Sequence, residues 1–159
     1  MDVVATEVAH FLDGLRAAAS ATRFLESWCA RRGLGAGPVR SRRLPPPPPD
    51  AAAEALLAPA PWERPEARRV TLMRGAVALS DAEIRWLGTR LTPAMQEALA
   101  RTDTPFGVVV APLAPERRML AERVLPPGDA HALDCTALVL AGGRPIAVAR
   151  ERYRRALFA

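Results

Sequence analysis

The sequence predicts an α+β fold in which a single antiparallel β-sheet is flanked by helices. Apolar residues recur at helical spacing in the first 33 residues, whereas from residue 67 they alternate with polar residues as in strands. The strand-like segments follow one another with only one helical segment among them, an order that favours antiparallel pairing. With 159 residues the chain is long enough to bury a core, and we expect one domain spanning residues 1–159.

The N-terminal part, residues 1–37, is predicted to form two helices. The first lies within 3–19, and the second begins at a capping residue, Ser20 or Thr22, and ends at Gly33. The apolar residues expected on the buried faces are Val4, Val8, Phe11, Leu12 and Leu15 in the first helix and Phe24, Leu25 and Trp28 in the second.

A proline-rich loop over residues 45–50 follows a short predicted strand, "GPVRSRRL". The five prolines from Pro45 to Pro49 cannot donate backbone hydrogen bonds to a strand ladder, so the strand must end before them. A stiff spacer is the favoured role of this run, and a motif that binds an aromatic-lined groove is the alternative. A short helix is predicted next, over residues 50–57.

The main antiparallel sheet is expected over residues 67–158. Five segments show the alternation of strands, namely "RRVTLMR", "EIRWLGTRL", "RRMLAERVL", "ALDCTALVLA" and "PIAVARERY". A helix and its exit, "TPAMQEALARTDTPFG", separate the second strand from the third. The last two strands are joined by "GGRP", which is typical of a hairpin connection.

The composition excludes several functional classes. All 22 lysine-plus-arginine positions are arginine, and the formal net charge is +5. Without a lysine, Schiff-base chemistry and a P-loop are excluded. No predicted helix gathers its arginines into a stripe with interleaved aromatic residues, so we expect no nucleic-acid partner. No signal peptide or long apolar run is visible, which predicts a cytoplasmic protein without membrane association.

Neither a metal nor another cofactor is predicted. Cys29 and Cys135 are too few for a disulfide framework and are expected to be reduced thiols. His131 and Cys135 stand four residues apart, a spacing that would suit a metal site on a helix, but "HALDCTALVL" has the pattern of a strand. The only other histidine is His10.

Three charged side chains are predicted to lie on the apolar face of the sheet. Strand alternation places Arg68 on the face of Val70 and Leu72. The same count places Arg90 with Ile84, Trp86 and Gly88, and Glu151 with Ala147, Ala149 and Tyr153. The small residues in these sets leave space beside the charges.

That space is interpreted as an anion pocket. A buried guanidinium keeps its proton and needs an anion beside it. Glu151 can neutralise one of the two arginines but not both, so the site predicts a negatively charged ligand, and guanidinium groups suit carboxylates. The alternative is that the arginines reach solvent along the sheet edge. Other acids, Asp81, Glu83 and Asp103, are interpreted as caps or turn residues.

Five motifs together resemble a known family. In order, "SATRFLE", "RRVTL", "WLGTRLTP", "TPFG" and "GGRPIAVARERY" are similar to motifs of chorismate pyruvate-lyase and its relatives, a superfamily that includes UTRA-like effector-binding domains. The resemblance extends from about Leu12 to Leu157. It implies an antiparallel sheet with the ligand enclosed beneath helical flaps. It also implies an enzyme that converts chorismate to 4-hydroxybenzoate and pyruvate without metal or cofactor.

The resemblance assigns roles to particular residues. It implies that Arg68 and Arg90 bind carboxylates and that Glu151 meets the ring hydroxyl, with Arg68 and Glu151 as the catalytic pair. The further substrate-binding positions that it implies are Thr22, Gly88, Thr89, Phe106 and Gly107. Two residues depart from the family pattern, because Thr89 replaces a glycine and Phe106 is larger than the family's leucine. These departures leave a different substrate pose open.

Three functions follow as hypotheses. The leading one is a monomeric lyase that eliminates pyruvate from chorismate and supplies a hydroxybenzoate for a quinone or a pigment. The alternative is a non-catalytic binding protein or sensor for a small aromatic carboxylate, because some transcription regulators use the same fold for effector binding. A third is a structural or partner-binding protein, which predicts that Arg68 and Glu151 are exposed and far apart.

Overall fold

The computed structural model describes residues 2–159, so the first residue of the predicted domain lies outside the described residues. The helices are α1 (Val3–Ala17), α2 (Ala21–Arg32), α3 (Ala51–Ala55), α4 (Pro93–Arg101) and α5 (Phe106–Val109). The strands are β1 (Val39–Leu44), β2 (Pro65–Arg74), β3 (Val77–Leu87), β4 (Glu116–Val124), β5 (His131–Ala141) and β6 (Arg144–Arg154). Short 3₁₀ turns cover Gly88–Arg90, Ala111–Leu113 and Arg155–Phe158.

The six strands form one antiparallel sheet in the order β1-β2-β3-β6-β5-β4, which confirms the predicted α+β class. Two hairpins, β2-β3 and β5-β6, pair through β3 and β6 at the centre of the sheet. Strands β1 and β4 are the edges. The backbone N–H of Ser41 in β1 donates to the carbonyl of Asp103 at 2.8 Å, so part of that edge is covered by the chain after α4.

The two N-terminal helices form as the apolar spacing predicts. The hydroxyl of Ser20 accepts a hydrogen bond from the backbone N–H of Arg23 at 3.3 Å, which confirms Ser20 as the cap of α2. Gly33 ends this helix in the left-handed conformation, with φ of 65°. The buried residues of α1 are Val8, Phe11, Leu12 and Leu15.

Two elements differ from the sequence prediction. Strand β3 begins at Val77, six residues before the predicted start, so Asp81 and Glu83 are strand residues and their interpretation as cap or turn residues is wrong. The helix predicted within 92–107 is α4, which ends at Arg101 where Thr102 becomes extended, and the predicted exit contains the start of a further short helix, α5, directly after Pro105.

The main core lies between the sheet and the helices α1, α2, α4 and α5. Phe11 is fully buried at its centre and contacts four aromatic rings with centroid distances of 4.8–5.1 Å. These rings belong to Phe24, Trp28, Tyr153 and Phe158. Residue Phe11 therefore connects two helices, the central strand β6 and the C-terminal turn.

The opposite face of the sheet carries a smaller core and many charges. Leu57, which follows α3, packs there against residues of β3, β5 and β6. The proline run leads the chain across this face, where Pro47 is buried and the carbonyl of Pro48 accepts a hydrogen bond from Arg85 at 2.7 Å. This packing is consistent with the predicted role of the run as a stiff spacer.

The loop after α2 gives a stability prediction with a matched control. The guanidinium of Arg74 donates to the carbonyls of Leu34 and Gly35, both at 2.9 Å. In Gly35→Ala the new Cβ would lie 2.1 Å from the Arg74 carbonyl oxygen, whereas in Gly33→Ala it would meet nothing within 4 Å. Both glycines have positive φ, so we expect Gly33→Ala to cost about 1 kcal/mol and Gly35→Ala distinctly more. Urea denaturation midpoints measure the difference, and equal midpoints would contradict it.

Candidate functional site

An enclosed cavity of about 60 Å³ lies between the sheet and the N-terminal end of α2. Its walls are largely apolar, with Leu72, Ile84 and Ala149 on the sheet side and Phe106 on the helix side. Its polar groups come from the start of α2 and from the strands β4 and β6. The cavity thus combines an apolar middle with charged groups at one end.

The charged end is an ion pair between Arg117 of β4 and Glu151 of β6. Arg117 Nη2 donates to Glu151 Oε2 at 3.0 Å, and the two side chains are 6% and 12% exposed. The hydroxyl of Tyr153 donates to the same carboxylate oxygen. No residue in the range 2–159 donates to Glu151 Oε1, so that oxygen is an available acceptor beside the cavity.

The protonation of the neighbouring groups follows from their burial and charge. Burial, and then the charge of Glu151, raises the pKa of Tyr153 well above its ordinary value, so Tyr153 is a hydrogen-bond donor at neutral pH. Burial disfavours the charge of Arg117, but Glu151 and Tyr153 outweigh that effect, and the pKa of Arg117 is raised. Burial and the same carboxylate raise the pKa of Cys135 to about 12, so its thiol is neutral.

Four of the sequence-predicted site residues come together at this cavity, namely Thr22, Phe106, Gly107 and Glu151. Gly107 has a steric reason to be glycine, because an added Cβ would lie 3.3 Å from Thr22 Oγ1. A larger residue at position 107 would therefore require the Thr22 side chain to shift by a few tenths of an ångström. Thr22 is buried, and its hydroxyl is one of the polar groups of the wall.

Sequence reasoning missed Arg117. In β4 the residues Arg117 and Met119 share one face, and Val139, which pairs with Arg117, lines the same cavity. The alternation that singled out Arg68 and Glu151 applies equally to "RRMLAERVL". The sequence feature that could have identified Arg117 is its position two residues before Met119, which places both side chains on one face of the strand.

Arg68 lines a second cavity, of about 200 Å³, together with Trp86, Gln96, Arg43 and one acid, Glu66, which makes no ion pair with Arg68. Its guanidinium donates to two backbone carbonyls, those of Leu99 at 3.4 Å and Thr104 at 3.0 Å. Among the described residues no carboxylate lies within 4.0 Å of it. Burial, and then the charge of Arg43, lowers the pKa of Arg68 to about 10. Arg68 is therefore a buried cation without a counter-ion in residues 2–159.

Arg68 and Glu151 lie on the same face of the sheet but not in the same cavity. Arg68 pairs with Ile84, and Ile84 pairs with Ala149, so Arg68 and Glu151 are two strand spacings and two residues apart. This corresponds to about 12 Å between their Cα atoms. Both are largely buried, contrary to the partner-binding hypothesis. Trp86 of the second cavity contacts Phe106 of the first, with 5.9 Å between ring centroids.

Arg90 does not join these residues, which corrects the predicted grouping. Strand β3 ends at Leu87 and a 3₁₀ turn follows, so strand alternation no longer applies at residue 90. The guanidinium of Arg90 donates to Glu63 Oε1 at 2.7 Å and to the carbonyl of Pro145 at 2.7 Å. The side chains of this ion pair are 5% and 3% exposed. Arg90 is thus already neutralised within the protein.

The two residues before Arg90 also lie away from the first cavity. The hydroxyl of Thr89 donates to Glu63, so Thr89 belongs to the Arg90 ion pair. A Cβ on Gly88 would lie 2.4 Å from Glu66 and 2.7 Å from Gln96, two residues of the second cavity. A side chain at position 88 would therefore require the flexible ends of Glu66 and Gln96 to shift.

The Arg90–Glu63 pair predicts a pH dependence of stability. Hydrogen bonds from Arg90, Thr89 and the backbone of Ala60 lower the pKa of Glu63 from 4.5 to about 2. Because the folded-state pKa is depressed, this stabilisation is complete above about pH 4.5 and is lost as the pH falls through 2. Glu63→Gln should flatten the melting temperature profile in that window, whereas Glu97→Gln, in an exposed pair with Arg101, should not. Equal profiles for Glu63→Gln and the wild type would contradict this assignment.

Comparison with known proteins identifies the fold. No family model matches the chain, and no curated protein matches it. Among solved structures, it is similar to the ligand-binding domain of a protein described as a GntR-family transcriptional regulator from Bordetella bronchiseptica, with 18% identity and a TM-score of 0.50. That alignment covers 72% of this chain and 84% of the other. In residues 2–159 no helix has the length and apolar content needed to span a membrane.

A second similar structure is that of YydK from Bacillus subtilis, described as a transcriptional regulator. It has 15% identity and a TM-score of 0.52, and the alignment covers 76% of this chain. This chain spans 59% of the length of YydK. Identities this low show a shared fold, which agrees with the α+β fold implied by the sequence resemblance.

Proposed function

We propose that this chain binds a small aromatic carboxylate without converting it. The observation that carries the proposal is the pair of uncompensated polar groups on the helix-covered face of the sheet. Glu151 Oε1 is an acceptor without a donor, and Arg68 is a cation without an anion, within residues 2–159. A ligand with a hydroxyl at one end and a carboxylate at the other satisfies both.

The apolar walls between these two groups suit an aromatic ring. Ile84 and Ala149 form the sheet side and Phe106 the helix side. The cavity of about 60 Å³ holds several water molecules, so a ring requires Phe106 and the four-residue helix α5 to move outward. Such a movement would also open the Phe106–Trp86 contact and connect the two cavities. The ligand-bound conformation is thus expected to differ from this one at α5.

Calorimetric titration with 4-hydroxybenzoate tests the proposal. Wild-type protein should bind it, and Glu151→Gln and Arg68→Gln should each weaken binding about tenfold or more, because each removes a charged hydrogen-bond partner of the ligand. Benzoate, which lacks the hydroxyl, should bind the wild type and Glu151→Gln with similar affinity. Arg118→Gln on the exposed edge strand is the matched control and should bind like the wild type.

The stability of Arg68→Gln separates a ligand-binding role from a structural role. Since Arg68 has no counter-ion among the described residues, its removal should leave the melting temperature unchanged or raise it. A large loss of stability in Arg68→Gln would mean that the guanidinium serves the fold. Unchanged affinity for 4-hydroxybenzoate in both Arg68→Gln and Glu151→Gln would contradict the proposal.

Chorismate pyruvate-lyase activity is the second candidate. It is favoured by the position of Arg68 and Glu151, which match the motifs of the resemblance and share one buried face of the sheet. It is disfavoured by Arg90, which is engaged with Glu63, so that of the two arginines predicted to bind the carboxylates of chorismate only Arg68 is free of an ion pair within residues 2–159. Elimination would remove the ring proton beside the hydroxyl and break the bond from the ring to the enolpyruvyl oxygen; the released enolpyruvate would take up a proton to become pyruvate, and aromatisation would supply the driving force.

Incubation with chorismate distinguishes the two candidates. Stoichiometric pyruvate and 4-hydroxybenzoate above the spontaneous rate, measured together by chromatography, would establish the lyase. Absence of turnover together with calorimetric binding of 4-hydroxybenzoate is the result that we expect. Turnover that persists unchanged in Arg68→Gln would exclude Arg68 from the reaction.

A further inference from the structure

The opposite face of the sheet, away from α1, α2, α4 and α5, has a separate charged cavity of about 170 Å³. It is lined by Arg69, Asp81, Ala82, Glu83, Arg150 and Arg152. These residues come from three adjacent strands: Arg69 lies opposite Glu83, Glu83 lies opposite Arg150, and Asp81 lies opposite Arg152. The cavity is therefore a fixed feature of the central sheet and not of a loop.

Asp81 does not compensate the arginines of this cavity. Its two oxygens accept hydrogen bonds from Thr71 at 2.8 Å and from Arg154 at 3.0 and 3.1 Å. The Nε2 atom of His131 lies 2.7 Å from the same carboxylate. The negative charge of Asp81 is thus shared with partners outside the cavity lining.

The three arginines differ in how far they are neutralised. Arg150 donates twice to Asp134, at 2.7 and 3.1 Å, and is paired. Arg152 has only a 3.8 Å contact with Asp129. The guanidinium of Arg69 has no hydrogen bond or ion pair with any described residue, although its backbone pairs with Leu44 and Glu83 in the sheet. In both Arg69 and Arg152 the Nε atom is shielded from solvent and has no partner within residues 2–159.

Glu83 is the remaining acid of the cavity. One of its oxygens has a 3.4 Å contact with Arg85 outside the lining. Even if the whole charge of Glu83 is assigned to the cavity, the two weakly paired arginines Arg69 and Arg152 leave one positive charge in excess. A partly enclosed cavity with such an excess favours an anion over water.

We propose that this cavity binds a small oxyanion of the phosphate class, either free or as the phosphoryl group of a small molecule. Guanidinium N–H groups match the oxygens of phosphate in geometry and charge. Arg69 and Arg152 donate to the anion, and Arg150 closes the third side while it stays bound to Asp134. The site is independent of the proposed aromatic-carboxylate site, since the two lie on opposite faces of the sheet.

Titration with inorganic phosphate at constant ionic strength, with chloride as the reference anion, tests this site. Phosphate should shift the backbone amide signals of residues around Arg69, Arg150 and Arg152 in heteronuclear NMR spectra, and chloride should not. Arg69→Gln and Arg152→Gln should each weaken phosphate binding about tenfold or more. Arg118→Gln, an exposed arginine of the edge strand β4, should bind phosphate like the wild type.

The outcomes are distinct. No phosphate-specific shift in the wild type, or equal affinity in the wild type, Arg69→Gln and Arg152→Gln, would overturn the proposal. Equal loss in Arg118→Gln and Arg69→Gln would show a general charge effect and would also overturn it. Glu151→Gln should leave phosphate binding unchanged, and Arg69→Gln should leave 4-hydroxybenzoate binding unchanged. The proposal of a phosphate site and the proposal of an aromatic-carboxylate site can therefore be contradicted independently. With phosphate bound, a titration with glycerol phosphate shows whether an ester is accepted.

Discussion

Replacement of Arg117 by methionine is expected to lower the free energy of unfolding by about 3–5 kcal/mol, because it leaves the carboxylate of Glu151 buried without its cation. Methionine preserves most of the apolar volume of the arginine stem. The decrease in the free energy of unfolding therefore measures the loss of the positive charge and not the creation of a cavity. Urea denaturation at neutral pH measures the effect. This is the largest change expected from any single substitution at the candidate site.

The double variant Arg117→Met/Glu151→Met is the control for this prediction. Replacing a buried ion pair by apolar residues of similar volume is often neutral, so the double variant should regain most of the stability lost in Arg117→Met. Tyr153 then loses its acceptor, which limits the recovery. A double variant less stable than Arg117→Met would show that the two charges do not act as a pair.

Phe11→Ala is expected to be almost as destabilising, at about 3–5 kcal/mol. Phe11 is fully buried among four aromatic rings, and its removal leaves a cavity where α1, α2, β6 and the C-terminal turn meet. One of these rings is Tyr153, which donates to Glu151, so the affinity for 4-hydroxybenzoate should fall as well.

The matched control for Phe11→Ala is Val3→Ala on the same helix, where the side chain is 73% exposed. Surface substitutions of this kind usually change the free energy of unfolding by about 0.5 kcal/mol or less. Comparable losses in Phe11→Ala and Val3→Ala would mean that α1 contributes little to the core. Circular dichroism before denaturation checks that both variants retain helical content.

Hydrophobic periodicity was sufficient to predict most of the fold. It predicts α1, α2 and most of the sheet, and most of the residues expected on the buried helix faces are buried, although Val4 and Phe24 are only partly so. The first half of β3 was missed, since its residues Ala78, Ser80 and Asp81 have low strand propensity; Ser80 and Asp81 are held in the strand by pairing with both β2 and β6, and Ala78 by pairing with β2. Long-range pairing of this kind is not visible in a local window.

The candidate site was partly predictable, because the alternation of side chains along a strand indicates which residues share a face. Glu151 lies where alternation along β6 placed it, beside Thr22 and Phe106 at one cavity. The position of Arg90 was not predictable, because its counter-ion Glu63 comes from a loop 27 residues earlier and the intervening chain had to fold back across the sheet. Arg117 could have been predicted as a site residue, because its strand was predicted and alternation along that strand places Arg117 on the face of Met119.

A crystal structure of the complex with 4-hydroxybenzoate would show whether Glu151 and Arg68 bind the two ends of the ligand. We expect the ring between Phe106 and Ala149, with its hydroxyl about 2.6–3.2 Å from Glu151 Oε1 and its carboxylate directed toward Arg68. Helix α5 should be displaced outward relative to the unliganded structure. A ligand bound elsewhere, or a ring in this cavity with its carboxylate at Arg117 and no contact to Arg68, would contradict the account.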